Sequence, residues 1–285
     1  MANLKEIRNR ISSVSSTMQI TSAMKMVSAA KLKKAQDAIT AMRPYADKLT
    51  ELLQNLSATL DADSGSKFAD QREVKNVLIV AITSNRGLCG AFNSNIIKQA
   101  NYLANSYAGK KVSVVAIGKK ANDALLKEYE ILANESTVFD DLTFDNVAQI
   151  AEFLMQKFKE GSVDKIELVY NKFKNAATQI VTTEQFLPIV PSADGADANQ
   201  DYIFEPSKAE IVETLIPKSL KTQLFKAIRD SFASEHGARM TAMHKATDNA
   251  TELRDQLKLT YNKARQAAIT NEILEIVGGA EALNN

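Results

Sequence analysis

Apolar residues recur at helical spacing at both ends of this chain and not in its middle. The steps alternate between three and four residues, an average of 3.5 that is typical of two helices wound around a common seam. At about 1.5 Å per residue, the first stripe alone corresponds to a helix of roughly 85 Å. We therefore expect the two ends of the chain to pair as a long antiparallel coiled coil. The N-terminal stripe comprises Leu4, Ile7, Ile11, Val14, Met18, Thr21, Lys25, Ser28, Leu32, Ala35, Ile39, Met42, Ala46, Leu49, Leu53, Leu56 and Leu60, and the C-terminal stripe Met243, Ala246, Ala250, Leu253, Leu257, Thr260, Ala264, Ala267, Asn271 and Leu274.

The N-terminal stripe loses its apolar character over residues 21–28, where three of its positions are polar: Thr21, Lys25 and Ser28. A second stripe, made of Ile20, Met24 and Val27, lies on another face there. Small hydroxyl groups and flexible Met side chains form a surface that can touch partners without holding one geometry. We interpret this stretch as a partner surface, and the alternative is an ordinary, slightly irregular helix.

The middle of the chain alternates strand and helix patterns, which predicts a mostly parallel sheet covered by helices. The predicted strands are 77–83, 111–117, 166–173 and 179–187, and the predicted helices are 91–106, 119–129 and 144–160. The fold class is therefore α/β plus a long antiparallel coiled coil, with a Rossmann-like domain inserted between the paired helices. The predicted domains are 1–60, 73–190 and 206–285. We expect a bend at Pro44 and a helix break at Pro217.

Charge and composition exclude several functions. The net charge is only +1, and although residues 1–48 carry nine Lys and Arg against three acidic residues, they lack interleaved aromatic residues. Nucleic acid is therefore not a predicted partner. A single cysteine, Cys89, cannot form an internal disulfide bond. The longest purely apolar run, 77–82, is far shorter than the roughly 20 residues that span a bilayer, so any link to a membrane must come through partners.

A glycine-rich turn follows the first predicted strand, where phosphate-binding loops often lie. It reads Thr83-Ser-Asn-Arg-Gly-Leu-Cys-Gly-Ala-Phe-Asn93 and lacks the Lys-Ser/Thr pair that a P-loop needs after its second glycine. We favour a tight turn over a nucleotide site, and a buried Cys89 over a nucleophile. His236 and His244 are too far apart on one helix to share a metal ion, so we predict neither a cofactor nor a metal site.

The C-terminal sequence Ile269-Thr-Asn-Glu-Ile-Leu-Glu-Ile-Val-Gly-Gly-Ala-Glu-Ala-Leu283 closely resembles the signature of the gamma subunit of F-type ATP synthases. The resemblance extends along the whole chain in the same order of motifs. These include Glu6-Ile-Arg, Ile20-Thr, Ala23-Met, Met26-Val, Arg43-Pro-Tyr, Arg86-Gly-Leu-Cys-Gly-Ala-Phe-Asn, Phe204-Glu-Pro, Ala238-Arg-Met, Ala246-Thr-Asp-Asn-Ala and Tyr261-Asn-Lys-Ala-Arg-Gln. Two positions depart from the family pattern: Asn85 stands where Asp is usual, and Lys25 where Glu is common.

The resemblance implies a central rotor-stalk subunit that performs no chemistry. Its implied partners are the alpha and beta subunits that form a hexamer, the epsilon subunit and the membrane c ring, and its implied location is peripheral, on the cytoplasmic face of the bacterial inner membrane. Contacts to the catalytic subunits are implied for Met24, Lys25, Arg239, Gln266, Thr270 and Glu272. Contacts to the epsilon subunit and the c ring are implied for Tyr202, Phe204 and Glu205. A nucleotide-dependent enzyme and a static coiled-coil scaffold remain the alternatives from other classes.

Overall fold

A computed structural model describes residues 4–58, 68, 70–189 and 208–283 of the chain. The α-helices are α1 (Leu4–Ala58), α2 (Phe92–Ser106), α3 (Lys119–Leu125), α4 (Phe144–Lys159) and α5 (Lys208–Leu283). The strands are β1 (Asn76–Ile82), β2 (Lys111–Ile117), β3 (Glu130–Asn134), β4 (Lys165–Phe173) and β5 (Gln179–Leu187), and a 3₁₀ turn covers Ser136–Phe139.

The five strands form one sheet in the order β3-β2-β1-β4-β5. The pairs β2–β3, β1–β2 and β1–β4 are parallel, and β5 runs antiparallel to β4. Successive side chains of β1 point to opposite faces, as in any strand, so this strand contributes to two cores. Leu78, Val80 and Ile82 pack with α4 and the first part of α5, whereas Val77, Ile79 and Ala81 pack with α2 and α3. The predicted α/β fold with a mostly parallel sheet is confirmed.

One strand was missed by the sequence patterns. β3 has five residues, is only half-buried and pairs with β2 across an irregular register between Val114 and Val115. It begins at Glu130, directly after the segment predicted as the end of a helix, and α3 itself ends at Leu125. A short edge strand with no long apolar run leaves little pattern to detect.

The chain divides into two compact units. The coiled-coil unit contains residues 1–28 and 240–285, and the α/β unit contains residues 29–239. Both α1 and α5 contribute residues to each unit. The domain limits that the sequence predicted near residues 60, 190 and 206 fall outside the described residues and stay predictions.

In the coiled-coil unit α1 and α5 pair antiparallel, as predicted, because their contacts pair rising numbers on α1 with falling numbers on α5. Side-chain contacts join Arg8 Nη2 to Tyr261 Oη at 2.9 Å, Arg254 Nη1 to Met18 Sδ at 3.4 Å, Thr21 Oγ1 to Thr247 Oγ1 at 2.8 Å and Lys25 Nζ to His244 Nδ1 at 3.4 Å. The polar positions of the N-terminal stripe remain in the seam: Thr21 is 8% exposed and Ser28 is 2% exposed.

Only some of the residues predicted for the C-terminal seam face the partner helix. Met243 and Ala250 are buried and Leu257 and Ala264 are partly buried, as predicted. At the alternate positions Thr247, Arg254 and Tyr261 reach the partner helix, while Leu253 is 40% exposed and Thr260 is exposed. The Leu253 and Thr260 assignments are therefore wrong, because a period of 3.5 does not decide which of two neighbouring residues lies closer to the partner.

The predicted seam also extends too far. Ala267, Asn271 and Leu274 are exposed. Arg8 contacts Tyr261, so the first residue of α1, Leu4, comes opposite α5 only about one turn beyond Tyr261. After that point α5 has no helix beside it in the part of the chain that the structure describes.

The predicted break at Pro217 is wrong, since α5 continues through it. A proline removes one backbone hydrogen bond and crowds the preceding turn, but a helix of 76 residues retains enough other interactions to continue. Pro44 likewise lies inside α1, and the bend expected there stays a prediction.

Candidate functional site

The last part of α5 presents an apolar surface that nothing in the described chain covers. In the terminal segment, which we define as residues 265–280, every residue is exposed. Its large apolar side chains are Ile269, Ile273, Leu274, Ile276 and Val277, each at least 47% exposed. Positions 269, 273, 276 and 277 share one helix face because they are spaced by three, four and eight residues. Apolar patches of this kind mark protein interaction surfaces.

Three of the predicted contact residues lie on the same segment. Gln266, Thr270 and Glu272 are all exposed, and the Thr270 hydroxyl donates to the Gln266 carbonyl oxygen at 2.9 Å. The amide of Gln266 and the carboxylate of Glu272 thus stand beside the apolar stripe. A partner that covers this segment meets both apolar area and polar groups that can set its orientation.

The other predicted contacts in the coiled-coil unit, Met24 and Lys25, lie on α1 and are half-buried. The Lys25 amine lies 3.4 Å from His244 Nδ1, and His244 Nδ1 lies 3.4 Å from Asp248 Oδ2. Beside them the predicted second stripe is exposed at Ile20 and Val27. This part of α1 therefore forms a second surface with uncovered apolar side chains.

Arg239 does not lie on either surface. It is buried in the α/β unit, where Nη1 lies 2.6 Å from Glu235 Oε1. Its other nitrogens donate to the carbonyl oxygens of Arg86 and Gly87 at 3.1–3.3 Å. Burial raises the pKa of Glu235, and the adjacent guanidinium opposes that shift. In this structure Arg239 holds the loop between β1 and α2 against α5.

That loop is the glycine-rich turn, and its polar groups bond one another. Ser84 donates through Oγ to the Arg86 carbonyl oxygen at 2.6 Å, and its backbone N–H donates to Asn93 Oδ1 at 2.9 Å. The Asn93 amide donates to Cys89 Sγ at 3.2 Å. Cys89 is buried, as predicted, and burial raises the pKa of its thiol. A buried thiol with a raised pKa is a poor nucleophile.

Helix α5 lies across the edge of the sheet where doubly wound folds bind ligands, at the carboxyl ends of the parallel strands. Ser234 donates to the Asn171 carbonyl oxygen at 3.0 Å. Gly237 approaches the loop after β4 so closely that an added Cβ would lie 3.2 Å from the Ala176 backbone. These contacts, with those of Arg239, place α5 beside the carboxyl ends of β1 and β4, where a nucleotide would bind in such a fold.

The departure at Asn85 has a structural reason. Its Oδ1 accepts from the Lys119 N–H at 3.0 Å, and its Nδ2 donates to the Ser136 carbonyl oxygen at 2.8 Å. An ionised Asp cannot donate, so only the amide can make both bonds. Asn85 thereby ties the end of β1 to α3 and to the turn after β3.

Several predictions lie beyond what the structure describes. Tyr202, Phe204 and Glu205 fall outside the described residues, so their proposed contacts stay predictions. Among the residues that are described, no group of three or more His, Cys, Asp or Glu side chains could hold a metal ion. Within the same residues, no helix is long and apolar enough to cross a membrane.

A family model described as ATP synthase matches residues 3–283. The ATP synthase gamma chain of Flavobacterium psychrophilum is 78% identical over 284 residues, covering 99% of this chain and 99% of that one. The chain belongs to the ATP synthase gamma chain family.

Solved structures agree with this assignment. The central stalk and c-ring structure of the Tetrahymena thermophila mitochondrial ATP synthase contains a chain that is 26% identical, with a TM-score of 0.59 over 80% of this chain and 99% of that one. A rotor structure of the Euglena gracilis mitochondrial ATP synthase matches with a TM-score of 0.65 at 24% identity, over 93% and 98% of the two chains. The second likeness shows the same fold.

Proposed function

We propose that this chain is the central rotor-stalk subunit of an F-type ATP synthase, and that it couples ion flow through a membrane c ring to conformational change in the alpha and beta hexamer. The observation that carries the proposal is the terminal segment of α5, whose apolar stripe has no partner in the described chain. Family membership supports it, as does the likeness to a central-stalk chain.

The role needs no catalytic group on this chain. Each catalytic subunit has more than one conformation, and a stalk changes their populations by contacting them differently at each angle. Polar contacts through Gln266, Thr270, Glu272 and Lys25 are suited to this, together with an adaptable apolar contact through Met24. A hydrogen bond to a charged group contributes about 1.5–3 kcal/mol, enough to change populations without fixing one angle. Arg239 contributes indirectly, because it holds the loop at residues 86–87 in place.

The α/β unit is assigned to the c ring and the epsilon subunit, with Tyr202, Phe204 and Glu205 as contacts. The chain is then peripheral to the bacterial inner membrane, on its cytoplasmic face, and attached through the c ring. Support comes from the central-stalk likeness and from the bacterial relatives.

Two alternatives have direct tests. A nucleotide-dependent enzyme requires the isolated chain to bind ATP, against which stands the position of α5 beside the glycine-rich turn. A static scaffold requires a symmetric homodimer of the free chain in light scattering. Neither outcome is expected for a rotor stalk.

Co-purification and chemical protection test the proposal together. An affinity-tagged chain purified from bacterial membranes should bring down the alpha and beta subunits and the c ring. In a Cys89→Ser background, Ile273→Cys should react quickly with a polar maleimide in the isolated chain and slowly in the complex, because partner subunits cover the terminal segment.

Lys127→Cys, at an exposed position in the turn after α3, serves as the control for the reagent. Its reactivity should change less on assembly than that of Ile273→Cys. Recovery of the chain without alpha and beta subunits, or equal reactivity of Ile273→Cys in the free and assembled states, would overturn the proposal.

A further inference from the structure

An ion pair with one fully buried partner joins three elements inside the α/β unit. Arg43 lies on α1, Asp230 lies on α5, and Phe173 is the last residue of β4. One nitrogen of Arg43, Nη2, lies 3.2 Å from Asp230 Oδ1 and 3.2 Å from the Phe173 carbonyl oxygen. The guanidinium of this α1 residue thus links α1 to both α5 and the sheet.

The pair is built at a cost. The Asp230 side chain is 0% exposed, whereas that of Arg43 is 41% exposed. The second carboxylate oxygen, Oδ2, is buried without a hydrogen-bond partner in the described structure. Removing a carboxylate from water is expensive, and an apolar pair of similar size is often at least as stable. The pair is therefore a weak source of stability, but a buried charge pair can fix one relative position of the elements that it joins.

The apolar packing around this pair supplies no directional contact. Leu220, Leu224 and Ile228 of α5 pack into the core that also contains residues of β1, β4 and α4. The hydrophobic attraction is non-directional, so only the shapes of the packed side chains resist a turn or slide of the helix there. Hydrogen bonds have narrow limits of distance and angle, and they resist such a shift.

Other polar contacts of α5 hold the same face to the sheet. Gln223 Nε2 donates to Glu184 Oε1 on β5 at 2.7 Å, and Ser234 Oγ donates to the Asn171 carbonyl oxygen on β4 at 3.0 Å. Asp230 lies between these two positions along the helix. Arg43 adds α1 to this set, because it bonds to α5 and β4 at once.

We propose that Arg43 and Asp230 form a rotational lock, a pair of positioning residues that fix α1 and α5 to the end of β4 so that torque passes between the helices and the sheet. This inference rests on the proposed rotor function, because only a rotating subunit loads this joint. A loosened lock lets part of the torque generated by ATP hydrolysis be lost before it reaches the c ring.

The test uses the whole enzyme in inverted membrane vesicles. ATP hydrolysis and ATP-driven ion uptake, followed for protons and for sodium, are measured on the same vesicles, and their ratio is compared. Arg43→Met should lower the uptake-to-hydrolysis ratio by about twofold or more, because it removes a charge-assisted contact to a buried carboxylate. Arg43→Lys should restore most of the ratio, since it keeps the charge beside Asp230.

Lys33→Met provides the matched control. It makes the same kind of change on the same helix, in an ion pair with Asp37 whose two side chains are both largely exposed. Its ratio should equal that of the wild type. Asp230→Asn keeps the size of the buried side chain and should lower the ratio in the same direction as Arg43→Met, so it decides the matter if Arg43→Met fails to accumulate.

The ratio separates a lock from a purely structural pair. A structural role lowers the amount of assembled enzyme and leaves uptake per ATP unchanged. Wild-type ratios in Asp230→Asn and in assembled Arg43→Met would overturn the lock. Failure of the wild-type chain to assemble with alpha, beta and c subunits would instead contradict the rotor function itself.

Discussion

At the residue scale, two predicted contacts differ in kind. Arg239 is buried and bonded to Glu235 and to the loop at residues 86–87, whereas Gln266 is exposed on the terminal segment. The sequence motifs place both near partners, but the structure separates a residue that supports the fold from one that is accessible to another protein. The two should therefore respond differently to truncation.

We expect Arg239→Ala to lower the free energy of unfolding of the chain by about 3–5 kcal/mol, because it leaves the Glu235 carboxylate buried and unpaired. Gln266→Ala should change it by no more than about 0.5 kcal/mol, the range typical of exposed positions. Urea unfolding of the two purified variants measures both. In the assembled enzyme, Gln266→Ala should lower ATP hydrolysis and ion pumping at normal subunit stoichiometry. Equal stability of the two variants would show that Arg239 is not structural.

His236 should make stability depend on pH. Its ring edge packs on Phe232 at 4.5 Å between centroids, its Nε2 is buried without a partner in the described structure, and Nδ1 lies 3.5 Å from Arg239 Nη1. Burial, with Arg239 and Lys31 nearby, lowers the pKa of His236 from 6.5 to about 4. Between these pH values the unfolded chain binds a proton that the folded chain does not, so stability is lost as pH falls from 6.5 towards 4.

His236→Phe should remove this dependence. Burial raises the pKa values of Asp230 and Glu235, which acts in the opposite direction, but both residues remain in the variant. The difference in unfolding free energy between variant and wild type should therefore shift in favour of the variant by up to about 3 kcal/mol between pH 7 and pH 4. Parallel pH profiles for the two proteins would contradict the assignment of a neutral, buried imidazole.

At the element scale, the paired helices show how small residues set a seam. Thr21 and Thr247 share a hydrogen bond of 2.8 Å where two Leu side chains would push the helices further apart. Thr21 Oγ1 also lies within hydrogen-bonding distance of the Met18 carbonyl oxygen, and Thr247 donates to the Met243 carbonyl oxygen. Polar residues in this seam are therefore satisfied, and the coiled coil stays continuous through the stretch where the sequence loses its apolar pattern.

The corrected seam predicts a difference between two leucines four residues apart. Leu257→Asp places a carboxylate in the partly buried seam and should cost about 2–3 kcal/mol of coiled-coil stability. Leu253→Asp makes the same change at a position that is 40% exposed and should cost clearly less. Thermal unfolding followed by helical circular dichroism compares them. A larger loss of stability for Leu253→Asp would show that Leu253 lies in the seam, as the sequence pattern predicts.

The limits of prediction from sequence are also clearest for the elements. Four strands were found because each contains a long run of β-branched or alternating apolar residues, whereas β3 is short and lies at an edge. The pattern assigned Leu253 to the C-terminal seam because Leu is more apolar than its neighbour Arg254. In the structure Arg254 is the residue that contacts Met18 on the partner helix. Contacts between distant parts of the chain, not local pattern, decide such positions.

Local sequence pattern also predicted only part of the candidate site. The motifs indicated Gln266, Thr270 and Glu272, and the structure places all three on an exposed segment. The pattern assigned Leu274 to the seam, although the first residue of α1, Leu4, lies opposite α5 only about one turn beyond Tyr261. The burial of Arg239 could not be predicted either, because two of its acceptors are backbone carbonyl groups about 150 residues away in sequence.

At the scale of the whole molecule, the chain separates two tasks. The coiled-coil unit ends in a helix with an apolar face that no described residue covers, and the α/β unit holds α1 and α5 to a sheet through directional polar contacts. Helix α5 also contacts the ends of β1 and β4, at the edge that other doubly wound folds use for ligands. These features suit the proposed role of a subunit that transmits force between partners.

Rotation is the property that tests this account most directly. A complex of alpha and beta subunits with this chain is immobilised through the hexamer, and a fluorescent or bead label is attached to Lys127→Cys in a Cys89→Ser background. On addition of ATP, the label should turn in one direction in discrete steps and stop when ATP is removed. A label that stays fixed relative to the hexamer while ATP is hydrolysed would contradict the rotor function.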